Sequence, residues 1–329
     1  MAKIKDIGEF GLIERIRKGQ SKRSRNVILG IGDDAAAFAL SKGMVGIVTI
    51  DTLVDRTHFD LAYTSFYDLG WKAMAANLSD VAAMAGRPLL AVVSLTLTDK
   101  IKTKDVDELY RGMRALAGRH DATIAGGDIV KGREFSLTIA VTGECAKGNL
   151  GLRSGARPGD AAMITGSLGA SRAGLELLKS EIRNQKSELV RKHLRPEPRV
   201  REGLALARRF RLHGMIDISD GLASELHHLA RESRAGIIID QGALPVSEIA
   251  VEIAGKLKAD ILDYCLYGGE EYELLFTLPL GDAVKAKAML EKSGTHCAII
   301  GQVDSGKDVR MIGSDGHVRR LEDKGYAHF

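Results

Sequence analysis

The chain has 329 residues, 45% of them hydrophobic and 27% charged, with a formal net charge of +4. That length is enough for two domains that each bury a core, and that balance excludes disordered and fibrous classes. No apolar run approaches the roughly 18 residues of a membrane span, and the opening residues MAKIKDIGEFGLIERIRKG lack the apolar core of a secretory signal, so the expected location is cytoplasmic, with no membrane partner.

In chain order, residues 10–16 read as a short helix, followed by a serine- and base-rich loop at 18–25 that is either mobile or phosphate-facing. Strand 27–29 runs into the glycine turn GIGDDAA (30–36), strand 46–51 closes on Asp51, and 65–84 has apolar residues at helical spacing until Gly86 and Pro88 end it. A β-rich run at 89–97, a helix at 104–119, a strand at 122–125 entering a turn at Gly126-Gly127-Asp128, and a strand at 135–143 complete the first half. Glycine-dense text between 143 and 160 marks the expected boundary, giving domains 1–148 and 149–329. The second half predicts strand 161–165, a helix near 171–178, helix 200–210, the turn IDISDG (216–221), helix 222–230, strand 236–240, a turn and strand at 268–276, helix 282–291 and a β region at 297–311. The expected fold class is α+β, with two mixed α/β-sheet domains of similar size.

Aspartates recur at the ends of these elements. Asp33 and Asp34 follow the first strand, Asp51 ends the second, Asp80 lies among small residues in NLSDVAAMAG, Asp128 follows two glycines, and Asp217 and Asp220 frame IDISDG. An ionised carboxylate beside a buried strand end is costly unless a cation neutralises it. Taken singly, each has a plain structural reading: Asp80 as a helix cap, Asp217 with Ser219 as an N-cap for the helix at 222, Asp128 as a turn residue. Taken together, their placement predicts one shared ligand set for several Mg2+ ions, hard cations that reach protein through one or two carboxylates plus substrate phosphates.

Two nucleotide motifs are decoys. Gly30-x-Gly32-x-x-Ala35 with Asp51 about twenty residues on fits a dinucleotide fingerprint. However, Asp33 and Asp34 stand where a pyrophosphate needs bare amides, and 35–42 is too short for the helix of a βαβ unit. GQVDSGK (301–307) matches a phosphate loop until Asp308 replaces the Ser or Thr that holds magnesium, so a nucleoside triphosphate would bind without a Walker loop. The basic tracts at 15–25 and 191–213 raise nucleic acid as a partner. The second interleaves its charges with Leu204, Ala205, Leu206 and Ala207, and aromatics are 5% of the chain, so solvated helix faces are expected and nucleic acid is not. Cys145, Cys265 and Cys297 lie outside any CxxC pair and are expected to be packed thiols.

The segments GIGDDAA, IDTLVDRTHF, NLSDVAAMAG, AGGD, RSGARPGD, IDISDGL, GGEEYELLF and KGYAHF, in that order, resemble the thiamine-monophosphate kinases, within the superfamily that includes aminoimidazole ribonucleotide synthetase. The resemblance implies transfer of the ATP γ-phosphoryl group to the phosphate of thiamine monophosphate, and a homodimer through first domains whose sheets join. An ionised phosphate acceptor needs no general base, so no catalytic side chain is expected. The barrier is repulsion between polyanions, about 4 kcal/mol per charge pair at about 4 Å in an effective dielectric of about 20, which magnesium removes. Carried over by motif, the metal ligands are Asp34, Thr49, Asp51, Asp80, Asp128, Asp217 and Asp220, with Asp33 behind them. Tyr110, Gly127, Asp128, Arg153 and Ser219 would meet ATP, and His58, Glu270 and Tyr326 the acceptor. Asp55-Arg56-Thr57, Ile129-Val130 and Ile50 depart from the family pattern. The alternatives are a superfamily relative acting with ATP on another small molecule, and a non-catalytic polyanion-binding protein.

Overall fold

The computed structural model describes residues 4–19, 25–31, 35–180 and 188–325; Asp33, Asp34, Tyr326 and the middle of the 18–25 loop lie outside the described residues. The chain divides into two units, Met1–Val81 with Gly86–Lys147, and Ala82–Ala85 with Gly148–Phe329.

The first unit contains α1 (Ile4–Lys18), β1 (Val27–Leu29), β2 (Ala37–Phe38), β3 (Met44–Val54), α2 (Phe66–Ala83), β4 (Arg87–Leu97), α3 (Thr103–Arg119), β5 (Thr123–Lys131) and β6 (Ser136–Ala146). Helix α1 starts earlier than predicted because Gly8 takes a left-handed φ of 67° inside it, a kink that hides the helical period. Four strands form one sheet in the order β3-β6-β4-β5, antiparallel except for β4 with β5. Alternation gives it two unlike faces. Val93, Leu95, Ile139 and Val141 are fully buried on one, whereas Val48 and Ile50 on the other are 75% and 65% exposed. Helices α2 and α3 supply the facing core and cross backbone to backbone: a Cβ on Gly70 would lie 2.0 Å from the Leu109 carbonyl oxygen, and one on Gly112 2.0 Å from that of Tyr67.

One predicted turn is not a turn. Gly126, Gly127 and Asp128 lie inside β5, paired with Val92, Val93 and Ser94 after a bulge. Glycine-glycine usually breaks a strand; here a Cβ on Gly127 would sit 2.0 Å from the Val93 carbonyl oxygen, so the missing side chain lets the strands close up. The β1–β2 ribbon is seated on the open face, Val27 packing with Leu90 and Ala125. Buried Glu144 clamps the chain after the ribbon, accepting the Ser41 N–H and hydroxyl, each at 2.8 Å, and pairing with Arg87.

The second unit contains β7 (Asp160–Thr165), α4 (Ala170–Lys179), α5 (Glu188–Leu194), α6 (Val200–Arg209), β8 (Gly214–Asp217), α7 (Leu222–Ser233), β9 (Gly236–Asp240), α8 (Glu248–Leu257), α9 (Ile261–Tyr267), β10 (Leu274–Pro279), α10 (Leu280–Lys292), β11 (Cys297–Asp304), β12 (Val309–Ile312) and β13 (Val318–Arg320). Its seven-stranded sheet runs β13-β12-β9-β11-β7-β10-β8, with only β12 and β9 parallel. Apolar residues of α7, among them Leu222, Leu226 and Leu229, share a core with Ile164, Ile237 and Leu275. Helices α8 and α9 are absent from the sequence reading although each carries a start signal: Ser247 accepts from the Ala250 N–H and Asp260 from that of Leu262. GQVDSGK joins β11 directly to β12, so no helix N-terminus follows it.

The basic tract at 191–213 is only half as predicted. Arg201, Arg208 and Arg209 are exposed on α6, but Lys192 and Arg199 turn inward onto Glu273, itself fully buried. Charge spacing alone does not reveal an acid eighty residues away.

Candidate active site

In the second unit three of the motifs meet. Strand β8 ends on Asp217, 3% exposed, and the turn beyond it is laced to the 268–273 loop. The Ile218 N–H donates to the Glu273 carbonyl (2.8 Å), the Tyr272 N–H to that of Ile218 (2.8 Å) and the Glu270 N–H to that of Ser219 (2.6 Å). These bonds hold Glu270 and Tyr272 at left-handed φ of 54° and 53°, conformations that cost about 1 kcal/mol or more each in non-glycine residues. The turn and strand expected at 268–276 accordingly divide at Leu274, where β10 begins. The tail reaches the same place: the His227 Nε2–H donates to the Leu321 carbonyl (2.9 Å), and a Cβ on Gly325 would lie 2.6 Å from that of Ser224 and 3.5 Å from the Asp220 carbonyl oxygen. Arg153 is exposed and lies near α7, where it helps to lower the His228 pKa after burial and Arg231.

Behind this turn the carboxyls are sorted by their neighbours. Burial pushes Glu225 up to about 8, against the Asp220 N–H that it accepts, and the charges of Asp220 and Asp217 add to the rise. Burial would also raise Glu273, but Lys192 at 2.8 Å and Arg199 at 2.6 Å hold it at about 2, with Thr165 donating a further bond at 2.7 Å. Glu271 accepts the Ser171 N–H near the start of α4 (3.2 Å), and its second oxygen is buried without a hydrogen-bond partner among the described residues. Burial lifts it to about 7 although Lys192 pulls the other way. His193 Nδ1 lies 3.1 Å from Ser171 Oγ and 3.4 Å from Glu270 Oε2, so an imidazole stands against a candidate acceptor-binding carboxylate.

Glu271 carries a pH prediction. Its folded pKa of about 7 exceeds the ordinary 4.5, so between those values the folded state binds more protons than the unfolded one, and this group makes stability fall as pH rises. Glu271→Gln is expected to flatten the stability profile between pH 4.5 and 7 in urea titrations; an unchanged slope would refute the assignment.

In the first unit Thr49 Oγ1 donates to Asp80 Oδ2, joining β3 to the last turn of α2. Asp51 lies two residues along the strand from Thr49, opposite Ile139, which in turn faces Val93, so it shares the helix-packed face. Asp128 does not. It lies opposite Ser94, which faces Thr138 and then Thr52, and so belongs to the open face with Val48 and Ile50. Three strand spacings, about 14 Å, also separate Asp51 from Asp128. The single ligand set expected from sequence is therefore at least two groups within this unit. Tyr110 is buried in α3 with its ring under Arg114. His58 Nδ1 accepts the Val54 N–H at 3.1 Å, which leaves Nε2 as the protonated nitrogen of the neutral ring.

The models for the N-terminal and C-terminal domains of AIR synthase related proteins match residues 32–145 and 157–314. The thiamine-monophosphate kinase of Bacillus subtilis (strain 168) is 38% identical over 331 residues, covering 98% of this chain and 99% of that protein. The chain belongs to the thiamine-monophosphate kinase family. Two solved structures of the family match it: the kinase from Stenotrophomonas maltophilia K279a, with a TM-score of 0.83 and 34% identity over 94% of this chain and 98% of that one, and AaThiL complexed with AMPPCP and TMP, with a TM-score of 0.76 and 31% identity over 100% and 99%.

For a kinase of this family the donor set suits magnesium in kind: every candidate ligand is a carboxylate or a hydroxyl. Among the described residues no three His, Cys, Asp or Glu side chains surround a common point, so hydroxyls, water and substrate phosphates would complete any coordination shell. The kinase residues that sequence reading missed, Glu225, Glu271, Lys192, His193 and Arg199, carry signals only in hindsight: three charges within GGEEYELLF and a glutamate in the first turn after IDISDG.

Proposed function

We propose that the chain transfers the γ-phosphoryl group of ATP to the phosphate of thiamine monophosphate, giving thiamine diphosphate and ADP. Near-full-length identity of 38% to a kinase of that name carries this reading. Asp34, Thr49, Asp51, Asp80, Asp128, Asp217 and Asp220 would hold Mg2+, which neutralises the phosphates as they approach. Ser219, Gly127, Asp128, Tyr110 and Arg153 serve ATP; His58, Glu270 and Tyr326 serve the acceptor. The chain's own contribution is placement: backbone bonds from Tyr272 and Glu270 to Ile218 and Ser219 keep a metal-binding turn and an acceptor-binding carboxylate in fixed relation. Incubation with ATP, magnesium and thiamine monophosphate should yield thiamine diphosphate and ADP, and no product without magnesium. A folded, magnesium-loaded sample that makes none would favour another acceptor.

The reading includes a homodimer through the open face of the four-stranded sheet, supported by exposed Val48 and Ile50 on β3 and Val92 on β4, which face the same side across β6. Ile50→Asp is expected to shift the chain to monomer in sedimentation without lowering its melting temperature by more than a few degrees; a persistent dimer would move the interface elsewhere. A cytoplasmic location fits three buried, free cysteines. No helix among the described residues is long and apolar enough to cross a membrane.

A further inference from the structure

We propose that Glu225 is a positioning residue that holds the Asp217–Asp220 turn in its cation-binding conformation, a role that rests on the metal-assisted kinase reading. Glu225 lies in the first turn of α7 and is 1% exposed. Its Oε1 accepts the Asp220 N–H at 3.0 Å, a bond that ties the turn to the helix behind it. Gly221, at a φ of 120° that only glycine tolerates, lets the chain double back between them. The second oxygen, Oε2, is buried without a hydrogen-bond partner among the described residues, and Asp217 and Asp220 are both within its electrostatic reach.

A buried carboxyl with one oxygen unmet opposes folding, so packing does not explain it. Neighbouring inward positions of the same helix, Leu222, Leu226 and Leu229, are apolar. Glu225 is also not part of a finished metal shell, since no three such side chains among the described residues surround a common point. What it does is fix a main-chain N–H between two candidate ligands. Partners that orient metal ligands typically change metal affinity by about 10- to 100-fold when removed.

The test compares the full-length chain with Glu225→Met, which keeps bulk but has no acceptor, and Glu225→Gln, which keeps an acceptor oxygen without the charge. Calorimetry would measure AMPPCP binding as magnesium is varied, hydrogen exchange would report the Asp220 amide, and turnover would be taken at saturating magnesium. Expected for Glu225→Met is about a tenfold or greater rise in the magnesium needed for half-maximal binding, faster Asp220 exchange, and kcat largely recovered at saturating metal. Glu225→Gln should stay within about twofold of the parent. An unchanged magnesium requirement in Glu225→Met overturns the proposal. So does Glu225→Gln falling as far as Glu225→Met, because the charge would then be the active property. If Glu225→Met does not fold, Glu225→Ala, which also lacks the acceptor, takes its place under the same two criteria. Parent protein lacking magnesium-dependent AMPPCP binding overturns the kinase reading itself; normal parent binding with an unaffected Glu225→Met overturns only the role of Glu225.

Discussion

Asp217→Asn is expected to lower kcat by about 10³-fold while the protein melts at or above the parent temperature. Two opposing effects give these signs. Asp217 is almost fully buried at the end of β8, where an ionised carboxylate carries a desolvation cost that a neutral amide largely escapes. The amide lowers that cost without changing volume, so the fold keeps or gains stability. Phosphoryl transfer between two anions, however, draws several kcal/mol from metal-borne charge, and about 4 kcal/mol corresponds to about 10³ in rate. A residue placed there for stability would behave in the opposite way. Steady-state kinetics and a thermal melt on the same sample decide the matter: loss of turnover without loss of stability supports the ligand role, and near-normal turnover removes it.

Glu273→Gln is expected to destabilise the protein by about 3–5 kcal/mol, the usual consequence of leaving buried charges without their partner. Glu273 accepts from Lys192, Arg199 and Thr165 while fully buried, so the substitution strands two cations from α5 and the start of α6 against an uncharged amide. Replacing Lys192 as well should cost less than the two single changes added together, because the second removes a charge already orphaned. The same group sets an acid limit. Its folded pKa of about 2 lies below the ordinary 4.5, so its contribution is complete above 4.5 and is lost as pH falls towards 2. Urea midpoints for the single and double variants would show this; a Glu273→Gln loss under about 1 kcal/mol would mean that water reaches the cluster.

Helices α2, α3, α6, α7 and α10, and Asp217 at the end of β8, were legible in the sequence because each depends on neighbours in the chain: apolar spacing, a glycine, a proline; Asp51, expected to close its strand, instead lies inside β3, which runs on to Val54. Local chemistry also misled at Gly126-Gly127-Asp128, which looks like a turn and is a strand because Val93 of β4 comes close enough to need glycine there. Tertiary structure alone decided which acids share a face. Asp51 and Asp128 read alike in sequence, yet the order β3-β6-β4-β5 and its register put them on opposite faces at opposite edges of one sheet. It also turned Lys192 and Arg199 inward, since the carboxylate that neutralises them arrives in the loop before β10, more than seventy residues later, and pairing across such a distance leaves no period in the chain to read.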